Sequence, residues 1–100
     1  MSAKQLPKET VRDLLGIARA LLVVRENQYA PRAELDRIRE VSAWLVDALE
    51  LSRTRPDTLG HRAAWAKAER ATAVLTELLV NHDEATKHLV GAWAERLRAR

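Results

Sequence analysis

One hundred residues with no cysteine, 17 basic and 14 acidic residues and a net charge of +3 describe one small domain, residues 1–100. The missing thiols exclude disulfides, thiolate nucleophiles and zinc–thiolate sites, and the charge excess falls short of the dense basic stripe of a dedicated nucleic-acid binder. An apolar share of 47% supports a core, yet the longest apolar stretch, Ile17 to Val24, is interrupted by Arg19 and cannot span a membrane.

The opening Met-Ser-Ala-Lys-Gln-Leu-Pro holds no signal-peptide apolar region, so a cytoplasmic location is expected. Pro7, Pro31 and Pro56 recur at intervals of 24 and 25 residues, and Asn81-His82-Asp83 falls one interval further on. Proline suits the first turn of a helix, where its missing N–H is not needed, and breaks a helix interior. The punctuation predicts four helices, over about 7–26, 31–53, 57–80 and 83–98, and no strand.

In the first helix Val11, Leu14, Leu15, Ala18, Leu21 and Leu22 follow helical spacing, and Ile17, Val23 and Val24 widen the stripe nearly all round. Only Arg12, Arg19 and Glu26, seven apart, keep a polar line. A helix this apolar is central in the core or shared with a partner. Gly16 in its interior costs about 1 kcal/mol against alanine.

The second helix carries a core stripe of Leu35, Ile38, Val41, Leu45, Ala48 and Leu49, with Arg37, Trp44 and Leu51 on a neighbouring face. In the third, His61, Trp65, Ala68, Thr72, Leu75, Leu79 and His82 alternate by four and three, flanked by Ala64, Ala71 and Leu78. For the fourth, Asn81 with Glu84 three residues later fits an N-cap. Ala85, Leu89, Ala92, Trp93 and Leu97 form its expected apolar face, and Arg96, Arg98 and Arg100 complement its C-terminal dipole. Connections of two to five residues make neighbours antiparallel, so the expected fold is an all-α, up-down-up-down four-helix bundle.

Motifs for chemistry are missing. There is no Gly-x-Ser-x-Gly, no phosphate-cradling glycine loop and no His-Glu-x-x-His, so no catalytic residue, cofactor, metal or small-molecule substrate is assigned. Two acid–histidine pairs at helical spacing, Asp57/His61 and Glu84/His88, could each present a nitrogen and an oxygen on one face. They begin successive helices, which an up-down bundle sends to opposite ends.

Two surfaces remain. Without phenylalanine, Trp44, Trp65, Trp93 and Tyr29 carry the aromatic area, and Trp44, off its helix's main stripe, with Leu51 and Arg37 is the expected partner interface. Charge also separates along the alternating helices. Residues 1–15, 43–67 and 91–100 hold 10 basic and 6 acidic residues, the remainder 7 and 8. Lys4, Lys8, Arg53, Arg55, Arg62, Arg96, Arg98 and Arg100 should gather at one pole, suited to an anionic partner. The apolar excess favours a non-enzymatic protein that binds another protein, first of all a second copy as a dimer. The alternative is a nucleic-acid-associated protein that holds phosphate backbone at the basic pole.

Overall fold

The computed structural model describes residues 7–54 and 58–98. Among them are four helices and no strand: α1 Lys8–Asn27, α2 Arg32–Thr54, α3 Thr58–Val80 and α4 Glu84–Arg98. The expected boundaries hold to within a residue or two. Pro7 and Pro31 each stand one position ahead of a helix, and their carbonyls accept the first-turn amides of Val11 and Leu35 at 3.1 and 3.2 Å. Pro56 lies outside the described residues. No described helix is long and apolar enough to cross a membrane.

The helices run up-down-up-down. Arg25 near the end of α1 meets Glu34 at the start of α2, and Lys67 of α3 reaches back to Asp47 of α2 at 3.2 Å. Arg98 at the end of α4 lies beside Asp13 at the start of α1. Close packing joins α2 to α3, α1 to α2 and α1 to α4. The pair consecutive in the chain, α3 and α4, does not pack closely, so the bundle is open along that seam.

This arrangement accounts for the apolar circumference of α1. Lying between α2 and α4, it buries Val11, Leu15, Ala18, Ala20, Leu21 and Val24. From α2 come Ile38, Val41, Leu45 and Ala48, as the stripe predicts, and Ser52, which it does not. The seam of α3 is rotated from the expected register. Its buried line is Ala64, Ala68, Ala71 and Leu75, whereas His61, Trp65, Thr72 and Leu79 lie at the edge of the core. Small side chains let two backbones approach closely, so the alanine line is the one that meets a neighbour.

The fourth helix departs furthest. It buries Thr86, Val90 and Ala94, not the expected line of Ala85, Leu89 and Ala92, which is exposed; Trp93 and Leu97 are half-buried. The expected face is wide enough for two neighbours, and only α1 stands against it. Its cap also differs. Asn81 and His82 still donate to α3 carbonyls, those of Glu77 and Leu79, and the capping residue is Asp83, whose Oδ1 accepts the Thr86 N–H at 2.7 Å.

The α1–α2 turn closes by a Schellman pattern. Ala30 N–H donates to Arg25 O at 3.0 Å and Tyr29 N–H to Glu26 O at 3.1 Å. The residue in the left-handed position is Tyr29, with φ of 56°, where glycine is usual, and it is 94% exposed.

Candidate functional site

Five residues of the expected basic pole fall within the described residues. Lys8, Arg53, Arg62, Arg96 and Arg98 are exposed at the end where α1 and α3 begin and α2 and α4 finish. Lys4, Arg55 and Arg100 lie outside the described residues. Three of the five already have local partners: Arg53 pairs with Glu50, Arg96 lies 5.3 Å over the Trp93 ring, and Arg98 Nε is 3.7 Å from Asp13 Oδ1. Glu50 raises the Arg53 guanidinium above its ordinary range by hydrogen bonding and charge. Lys8 and Arg62 make no ion pair among the described residues.

The Trp44 face is occupied. Trp44 is half-buried, with Arg37 at 5.4 Å and Arg70 of α3 at 4.7 Å over its ring. Arg37 also pairs with Glu40 at 3.1 Å, and Leu51 is half-buried against the core. Two guanidinium groups therefore cover the aromatic surface that the sequence offers as an anchor. Arg70 is the residue that helical spacing could not bring to this face, because it comes from another helix.

An uncovered apolar surface lies elsewhere. Where α1 and α3 meet diagonally beside the open seam, a groove of about 380 Å³ is lined by Val11, Leu14, Trp65, Ala68, Thr72 and Ala73, and α4 contributes nothing to it. The four-and-three spacing puts Trp65 and Thr72 on the same line of α3 as Ala68 and Leu75 and does not reveal a groove. The signal that could have found the groove is the alanine line itself, since a helix that turns its alanines inward places Trp65 at the rim.

At the opposite end, one polar cluster joins α1, α2 and α4 with the connection that follows α3. Arg25 Nε and Nη2 lie 2.8 and 2.7 Å from Glu34 Oε2, and His82 Nε2 is 3.2 Å from Glu34 Oε1. Arg25 also donates to Gln28 Oε1 at 2.8 Å, and Gln28 Nε2 donates to Thr86 Oγ1 at 3.3 Å. The side chains of Arg25, Glu34 and His82 are 19, 21 and 11% exposed. Asp83 completes the cluster. Its carboxyl is held below the usual carboxylate range, first by the Thr86 N–H, then by the Thr86 hydroxyl, with His82 and Arg25 adding attraction. The charge separation along the chain put these residues at one end but did not pair them.

Among the described residues no group of three or more histidine, aspartate or glutamate side chains converges. Asp57 lies outside them. His88 is exposed, and Glu84 is paired with Lys87 at 3.3 Å. Among the described residues, Ser52 Oγ and His61 Nδ1 are buried without a hydrogen-bond partner. No protein-family model, curated protein or solved structure matches this chain.

Proposed function

We propose that this chain is a non-enzymatic helical protein that acts by binding another protein, and that its first partner is a second copy of itself. One observation carries the reading: the α3–α4 seam is open, and beside it lies an apolar groove of about 380 Å³ with Trp65 in its wall. A half-buried tryptophan in an apolar depression is the kind of anchor that dominates binding energy. The outward apolar line of α4 supports the same reading, since Leu89 is 45% exposed on a face that lacks its second neighbour. Both surfaces belong to one chain, so a two-fold arrangement can cover both at once.

Sedimentation equilibrium across a range of concentrations tests this. Self-association should appear as a rise in apparent mass, and Ala73→Glu, which places a charge at an exposed position in the groove wall, should return the protein to a monomer with unchanged helicity. A strict monomer at every concentration, or an Ala73→Glu protein that associates like the parent, refutes it.

A second reading keeps the basic pole, favoured by Lys8 and Arg62, which are exposed there without ion-pair partners among the described residues. Binding to duplex nucleic acid should then fall steeply with salt and be abolished by joint charge reversal at Arg53, Arg62 and Arg98. Unchanged binding in that triple variant eliminates this reading.

A further inference from the structure

The polar line of α1 borders a cleft apart from the apolar groove, with Arg98 shared with the basic pole. Arg12, Gly16 and Arg19 fall at helical spacing on one side of α1, facing the gap beside α4. Arg98 of α4 closes the other side, and Leu15, Ala94 and Leu97 form an apolar wall. Together they enclose a cleft of about 300 Å³. It shares no lining residue with the α1/α3 groove.

Three features set this cleft apart from a solvated basic face. Arg12 and Arg19 make no ion pair or hydrogen bond among the described residues, so two guanidinium groups are available. Asp13, the one carboxylate in the lining, is spent loosely on Arg98, with Nε and Oδ1 at 3.7 Å and both side chains more than half exposed. Gly16 lies between the two free arginines, and a methyl group added there would meet no atom within 4 Å, so the wall is open at that point. Three guanidinium groups against one carboxylate leave two positive charges uncompensated. A guanidinium fork matches phosphate and carboxylate oxygens in pairs.

We propose that this cleft binds a small organic phosphomonoester. The dianionic phosphoryl group would sit between Arg12, Arg19 and Arg98, matching the two uncompensated charges, and the ester's apolar body would lie on Leu15 and Leu97. The inference is independent of self-association, which uses a different face.

Phenyl phosphate and inorganic phosphate, titrated separately at constant ionic strength, provide the test. Binding is followed by the amide signals of Gly16 and Ala94 and the Nε–H signals of the arginines. Saturable shifts confined to Arg12, Gly16, Arg19, Ala94 and Arg98 are expected, with phenyl phosphate the tighter ligand. Arg19→Ala should weaken binding by about tenfold, the loss of one charge-assisted contact. Gly16→Leu, which fills the open wall while keeping every charge, should abolish saturation with helicity intact. Shifts spread equally over Arg32 and Arg39, or inorganic phosphate binding as tightly as the ester, overturns the proposal. So does a folded Gly16→Leu protein that binds like the parent.

Discussion

Removing the Glu34 carboxylate should be among the most damaging changes at the surface of this bundle. It takes two contacts from Arg25, at 2.8 and 2.7 Å, and one from His82 at 3.2 Å. Glu34→Ala leaves Arg25 Nε and Nη2 and His82 Nε2 without that acceptor in side chains about four-fifths or more buried. Breaking a fully buried ion pair costs about 3–5 kcal/mol, and losing an exposed one about 0–1. At this depth a loss of about 2–3 kcal/mol follows. Urea unfolding monitored by helical circular dichroism should show the midpoint falling by roughly 2 M, since m for a small domain is of order 1 kcal/mol/M or somewhat more. The exposed Arg37–Glu40 pair is the control, and Glu40→Ala should change stability by no more than ~0.5 kcal/mol. A double-mutant cycle of Glu34→Ala with Arg25→Ala should return a coupling of about 1 kcal/mol or more. If Glu34→Ala costs no more than Glu40→Ala, the cluster does not hold the helix ends together and the reasoning fails.

Tyr29→Gly should raise stability by about 1 kcal/mol in thermal unfolding, because Tyr29 holds φ of 56° and its exposed ring leaves little packing to lose. A destabilised variant would show that the ring makes contacts the exposed position does not suggest. Ser52→Ala should be neutral or stabilising by up to ~1 kcal/mol, since the buried hydroxyl has no partner; a clear loss by chemical denaturation would mean that it is satisfied in solution. The depressed Asp83 carboxyl favours the folded state above the unfolded carboxylate range of about pH 4, and that contribution is lost as pH falls through the folded value. Asp83→Asn should therefore be less stable at neutral pH and converge on the parent in acid, and a gap that widens in acid would contradict the assignment.

Helix number, direction and limits were legible because each depends on local chemistry. Proline cannot continue a helix interior, short connections reverse direction, and the apolar spacing of Val11, Leu15, Ala18 and Leu21 records which face is buried. The cap at α4 shows where local reading stops. Asn81 and Asp83 are both good capping residues, and the choice fell to Asp83 because the Asn81 N–H still completes the last turn of α3. The cover on Trp44 was out of reach for a different reason: Arg70 arrives from a separate helix, at a distance no periodicity measures.

By itself, then, the sequence determined a four-helix, alternating bundle, since periodicity and proline act within each segment or at its ends. Only the tertiary structure decided that α4 leans on α1 and leaves the α3 seam open. It also placed Trp65 in a groove, Arg12 and Arg19 beside Arg98, and Glu34 between Arg25 and His82. Those choices depend on which of several nearly equivalent apolar faces meet. They follow from side-chain size across helices, where alanine admits a neighbour and tryptophan holds it off, and not from the pattern along any one of them.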